Sequence, residues 1–270
     1  MEKIKTVQNA TITQINKQDN DINNTKESIE KTYSNENINE VTEEINLETN
    51  NQEQYKELEE FYQTNPDLNL NNIILDGYAF NKDSEIKPLS LEKGGCGISN
   101  FIMIYYLLYG KKLDFVEIAK EAVEKKLYNG RGSEYYHGDP PKPNEMFEDY
   151  KISVKKIDDN NLNIDYITNE LKNEKIITSV VQYGENNYED NGFNPSSGGH
   201  FVSIIDYDES KDLYYVFNPY TYTYEDGTKK NTSGWYSKEH IQKYYIDVID
   251  SEASVSPSVI SKKLIPTNLS

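Results

Sequence analysis

Apolar and polar positions follow three regimes along the chain. Over residues 1–50 the apolar residues besides scattered Ile and Val are Met1, Ala10, Tyr33 and Leu47. That surface is too small to offset the entropy of ordering, which predicts a disordered or transiently helical segment. Residues 53–63 (EQYKELEEFYQ) have helical spacing and predict a short helix packed on the domain, stopped by Asn65-Pro66-Asp67. NIILDGYAF then reads as a strand or extended arm. From Ile98 to Leu108 the chain carries no charge, which predicts one buried helix closed by Gly110. LDFVEIAKEAVEKKL spaces Phe115, Ile118, Ala119, Ala122 and Val123 as an amphipathic helix. Residues 129–144 form a long loop rich in proline and glycine, a kind more often functional than idle.

The later pattern shifts from the helical period toward β-branched runs. EMFEDYK predicts a short helix, ISVKKI a strand, IDYITNELKNEK a helix and KIITSVVQYG a buried strand. HFVSIIDYD and LYYVFNPY flank Glu209-Ser210-Lys211-Asp212 as a hairpin. YTYTYED is expected to continue that sheet, GWYSKEHIQKYY to form a last helix, and IDVIDSE to end as a strand or tail. Helices first and antiparallel strands later make an α+β layout, not alternating β-α units. The expected organisation is an acidic Asn/Glu-rich segment over 1–75, largely disordered, a globular domain over 76–252 and a loose tail over 253–270.

Composition narrows the function. The 270 residues carry 46 acids against 28 bases, a net charge of −18, half of it in residues 1–75. That argues against nucleic-acid or anionic-membrane binding, both of which need a basic surface. A single cysteine excludes an internal disulfide and a thiolate-rich zinc site, and the three histidines form no metal-binding spacing, so no metal and no cofactor is expected. MEKIKTVQNATITQIN has no apolar core of a Sec signal, and no apolar run is long enough to span a bilayer. The cytoplasm is the default location, with export by a non-Sec route left open.

The candidate chemistry centres on Gly94-Gly95-Cys96-Gly97. Cys96 falls where the buried helix begins, so free N–H groups and the helix dipole favour its thiolate and a depressed pKa. Taken alone it also reads as a small buried apolar residue. His200 opens a strand directly after Ser196-Ser197-Gly198-Gly199, and Asn218 closes the next strand before Pro219. A hairpin sets the start of one strand beside the end of its partner, so His200 and Asn218 can meet. Cys96 is then the nucleophile, His200 the general base and acid, and Asn218 the residue that orients the imidazole. Gly198 and Gly199 clear space for a substrate backbone. His137 reads as an exposed loop histidine and His240 as one on a polar helix face. Trp235 and Tyr236 read as packing at the end of the domain, with Trp235 also a candidate for the substrate cleft.

Together these features resemble the papain-like cysteine peptidases, and within them the double-glycine, bacteriocin-processing branch. The likeness rests on Cys96-Gly97, Gly199-His200-Phe201-Val202, Tyr207-Asp208 and Asn218-Pro219, and covers about residues 75–250. It implies an α+β papain-like fold, with the nucleophile helix packed on an antiparallel sheet. It also implies hydrolysis of a peptide or isopeptide bond through a thioester, on a peptide or protein substrate. Two positions depart from the pattern. The branch has Asp where this chain has Asn218, so Asp is expected to serve there equally. It also has a glutamine a few residues before the cysteine to donate to the oxyanion, where this chain reads Ser90-Leu91-Glu92-Lys93-Gly94-Gly95. The Cys96 N–H supplies one donor; for the second, Ser90, Lys93 and Gln182 are candidates, with Gly95 and Gly199 beside them on the substrate side. Three alternatives stay open: amide transfer or deamidation with the same triad, a secreted effector, and an inactive papain-like binding module.

Overall fold

The computed structural model describes residues 55–77, 87–133, 136–137, 142–158, 161–182, 192–194, 198–223, 227, 229–249 and 257–260. The chain divides into Met1–Glu53 and Gln54–Ser270, and all described residues belong to the second unit. The expectation of disorder over 1–50 lies outside them.

Residues 55–75 are part of the domain, not of the acidic segment before it. Three short 3₁₀ helices, Lys56–Phe61, Pro66–Leu68 and Leu70–Asn72, form a strap. Its Tyr55, Leu58, Phe61, Tyr62 and Leu70 are buried in the main core. The aromatic spacing that predicts a packed helix is present, but the turns are tighter than α. Helix α1 (Leu91–Gly94) breaks at Gly95, and α2 (Cys96–Tyr109) follows at once. Gly110, at φ 63°, closes α2 in the left-handed conformation that glycine adopts without strain. Helix α3 (Phe115–Glu124) starts at Asp114, whose carboxylate accepts from the Glu117 N–H at 2.9 Å. A two-residue pair, β1 (Tyr136–His137) and β2 (Lys142–Pro143), precedes α4 (Glu145–Asp149). Strand β3 (Val154–Lys156), α5 (Ile164–Lys172) and the wholly buried β4 (Ile176–Val181) come next. Strands β5 (His200–Asp208) and β6 (Leu213–Phe217) form the expected hairpin.

Beyond β6 the layout departs from expectation. Strands β7 (Thr221–Thr223) and β8 (Lys229–Asn231) pair with each other in a separate ribbon and do not extend the main sheet. The run read as one helix over 234–245 is split into strand β9 (Gly234–Ser237) and helix α6 (Lys238–Tyr244). Ser237 makes the split, because its side chain caps the His240 N–H while Trp235 pairs with Tyr215 in the sheet. Residues 246–248 form a 3₁₀ turn. The tail expected to be loose supplies β10 (Ser258–Ile260), which lies between β3 and β4 with Val259 opposite both Lys155 and Ile177. Three consecutive buried residues there satisfy backbone groups of two neighbours at once, a pairing no local pattern reveals.

The main sheet is antiparallel, in the order β3-β10-β4-β5-β6-β9. Alternation along β5 sends Phe201 and Ile205 into one core with α2, α3 and the strap, and Val202 and Ile204 into a second with α5 and α6. The result is an α+β fold, the Cys96 helix packed on an antiparallel sheet. Asn100 locks the two together. Its Nδ2 donates to the Cys96 carbonyl at 2.9 Å and the Phe201 carbonyl at 3.1 Å, and its Oδ1 accepts from Ser203 Oγ at 2.6 Å. Among the described residues no helix is long and apolar enough to cross a membrane.

Candidate active site

Cys96 is the first residue of α2, and no side chain caps the helix ahead of it. Gly97 lets the helix approach so closely that a Cβ there would lie 2.7 Å from Ser133 Cβ. The sulfur is within reach of the backbone N–H groups of Phe201, Gly97 and Cys96 itself, all of which favour a thiolate. Burial outweighs them. Cys96 is only 7% exposed, and desolvation pushes its thiol up rather than down. The depressed pKa expected from the helix N-terminus is therefore corrected by the depth at which that terminus sits.

His200 opens β5 and is 4% exposed. Its Nε2 lies 2.7 Å from Asn218 Oδ1. The Asn218 amide has one possible orientation. Its Nδ2 donates to the Phe193 carbonyl at 2.6 Å and to Thr232 Oγ1 at 2.7 Å, and a carbonyl can only accept. Oδ1 is thus the atom facing His200, so Nε2 carries the proton and donates, leaving Nδ1 with its lone pair. The Asn218 backbone is held as well, its N–H donating to Ser233 Oγ at 2.9 Å while that hydroxyl donates to its carbonyl at 3.0 Å. Burial pushes the imidazole down to about 4, against the Asn218 hydrogen bond. Thiol and imidazole are accordingly both neutral near pH 7.

Cys96 and His200 line one cleft of about 440 Å³, together with Gln63, Arg131, Gly199 and Tyr220. The Tyr220 ring stands edge-on to His200, centroids 6.3 Å apart. Asn194 shapes the approach by donating to the carbonyls of Val181 and Gly198 at 2.8 and 2.6 Å. Lys93 and Gly198 also reach the lining. The other residues expected on the substrate side do not. Ser90 forms a backbone bridge to Ile74 and caps no N–H with its side chain. Gly95 is buried by close packing, since a Cβ there would sit 2.3 Å from the Leu91 carbonyl oxygen. Gln182 follows the end of β4 and donates its N–H to the Val248 carbonyl. Trp235 packs on Tyr55 and Tyr215 within the sheet. His240 stacks among Phe193, Tyr236 and Tyr244 instead of facing solvent on a polar face. His137 lies on strand β1. Among the described residues no group of three His, Cys, Asp or Glu side chains is placed to hold a metal.

Gln63 is the cleft residue that sequence reasoning misses. It leaves the strap with its N–H donating to the Pro219 carbonyl at 2.9 Å, and its Nε2 donates to the Glu92 carbonyl at 2.6 Å. The side chain is 1% exposed, and its Oε1 is a buried atom without a hydrogen-bond partner among the described residues. The available signal was the aromatic spacing of residues 55–62, which marks the strap as packed but does not say where Gln63 ends up.

A family model described as the Peptidase C39-like family matches residues 78–250. No curated protein matches the chain. The matched span contains Cys96, His200 and Asn218, whereas Gln63 precedes it and β10 follows it.

Proposed function

The chain belongs to the Peptidase C39-like family, double-glycine peptidases of the papain-like cysteine peptidase superfamily, and from that membership we propose that it hydrolyses a peptide or isopeptide bond with Cys96, His200 and Asn218. The observation that carries the reading is the orientation of Asn218. An amide locked by the Phe193 carbonyl sets the imidazole tautomer, and that tautomer leaves a base on the ring's other nitrogen.

Chemistry starts from the neutral pair. As the Cys96 sulfur attacks the carbonyl carbon, its proton passes to His200 Nδ1, and the carbonyl π electrons move to oxygen. Asn218 Oδ1 accepts from Nε2–H throughout and steadies the imidazolium without taking the proton. The oxyanion receives the Cys96 N–H at the start of α2. Gln63 supplies the second donor, the Nε2–H not used by Glu92, from the strap in place of a residue just before the cysteine. Collapse of the intermediate expels the amine, which takes the proton from His200, and leaves a thioester. Water deprotonated by the same imidazole then releases the acid and the thiol.

Incubation with a mixed peptide library, read by mass spectrometry, tests this. Cleavage lost by about 10³-fold or more in both Cys96→Ala and His200→Ala, measured well below each variant's melting transition, is the expected result. Products bearing deamidated or cross-linked glutamine without cleavage would instead assign amide transfer.

A further inference from the structure

We propose that the cleft selects substrates with a carboxylate near the scissile bond, held by Arg131 with Lys93 beside it. The proposal rests on the peptidase reading and names its substrate class. Of the 28 basic residues, Arg131 is the one arginine, in a chain with 46 acids. It lines the cleft with Lys93, and among the described residues no Asp or Glu does. Glu92, next to Lys93, bears on the Tyr220 hydroxyl and is not on the lining.

Several lysines elsewhere on the domain are neutralised locally, while others, such as Lys111 and Lys126, stand unpaired among the described residues but away from the cleft. Lys112, Lys125, Lys172, Lys175 and Lys238 each pair with a carboxylate. Arg131 and Lys93 are exposed and form no ion pair among the described residues. Their backbones are nevertheless anchored to one another's elements. Asn129 Oδ1 accepts from the N–H groups of Arg131 and Gly132, both at 2.9 Å. The Leu89 N–H donates to the Gly130 carbonyl at 2.8 Å, and the Arg131 carbonyl packs so tightly on Gly94 that a Cβ there would come within 2.9 Å of it. A guanidinium on a fixed base offers a planar fork that matches a carboxylate with two N–H donors, and the lysine adds a point charge. The net charge of −18 repels acidic substrates at long range, but salt screens that field beyond about 10 Å. Selection is therefore a short-range effect, visible in discrimination between bound peptides.

The test uses random octapeptides, acetylated and amidated so that no terminal carboxylate remains, with a free-acid set in parallel. Enrichment of Asp or Glu at a fixed distance from the cut assigns a side-chain carboxylate. Cutting confined to the free-acid set near its C-terminus assigns a terminal one. Either supports the proposal. For a matched pair differing only by Glu or Gln at that position, kcat/KM is expected to favour Glu about tenfold, the scale of one charge-assisted pair. Arg131→Gln should erase the ratio, Arg131→Lys retain part of it, and Arg131→Glu turn it toward Lys peptides. The same pair is also bound to the Cys96→Ala chain and followed by fluorescence anisotropy. Equal cleavage of Glu and Gln peptides overturns the proposal and leaves the peptidase reading standing. No cleavage, with Glu-selective binding that Arg131→Gln abolishes, overturns the peptidase reading and keeps this one. Neither cleavage nor charge-selective binding overturns both.

Discussion

The two walls of the cleft differ in how their buried polar groups are satisfied. On the His200 wall, Asn218 uses both amide protons and its oxygen, and Asn194 and Thr232 are engaged with it or beside it. On the Cys96 side, Gln63 Oε1 in the cleft lining, and Tyr128 Oη and Ser133 Oγ packed outside that lining against Gly94 and Gly97, are buried without a hydrogen-bond partner among the described residues. An unpartnered buried polar atom costs about 1–3 kcal/mol. The contrast separates two tasks. On the proposed reading His200 is the base and must be held in one tautomer before substrate arrives, which the bonded Asn218 provides. Cys96 is the nucleophile on the same reading, and of the three unpartnered groups only Gln63 lines the cleft where a substrate backbone can meet it. Tyr128 is shut away from the cleft, since its phenol is fully buried and is pushed up first by desolvation.

Removing the proposed oxyanion donor Gln63 should cost more rate than removing Asn218. Gln63→Ala is expected to lower kcat about a hundredfold with KM little changed, the scale of one oxyanion donor. Gln63→Glu should fare no better, because a carboxylate repels the developing oxyanion. A Gln63→Ala chain that turns over at the parent rate would remove the strap from the chemistry.

The bonded wall should fail differently. Asn218→Ala leaves the Phe193 carbonyl, Thr232 Oγ1 and the His200 N–H without their partner, so it should lower both kcat, by about tenfold, and stability, by about 1–3 kcal/mol. Asn218→Asp answers the expectation that the family's Asp would serve equally. A carboxylate cannot donate to the Phe193 carbonyl 2.6 Å away and repels it, so this variant should melt below the parent chain. Its charge would also raise the His200 pKa and move the acid limb of kcat/KM to higher pH. Melting curves and pH–rate profiles of the two variants separate the effects; an Asp variant as stable as the parent would mean that the Phe193 contact carries no weight.

Burial of the imidazole should appear as a pH effect on stability. His200 sits at about 4 in the folded chain, against about 6.5 in the unfolded one. Between those values the unfolded chain binds the extra proton, so stability is complete above about 6.5 and is lost as pH falls toward 4. The loss attributable to this group is about 3 kcal/mol, from about 1.4 kcal/mol per unit. Denaturant titrations from pH 7 to 4 should show it, and His200→Gln should remove that part. Cys96 acts at the other end: its raised pKa means stability declines as pH rises past about 8.5. Iodoacetamide should therefore alkylate the free protein slowly near pH 7.

Much of the site was legible because it is local. The uncharged run after Cys96 could only be a buried helix, so its first residue was placed at a helix start. The turn between β5 and β6 brings His200 and Asn218 together over 18 positions, and a hairpin leaves little freedom in where they meet. The motifs around these residues carried the family and the α+β fold. What escaped was non-local or collective. Gln63, the strap and β10 join the domain through partners far along the chain, and the strap's Tyr55 finds Asp206 as its acceptor. No spacing rule reaches that distance, because such contacts depend on which surfaces remain open once helices and hairpins have formed. The charge state of the Cys96–His200 pair belongs to the same class. Helix position argued for a thiolate from one residue's surroundings in sequence, whereas desolvation sums over every atom packed around the pair, and only the folded chain assembles those atoms.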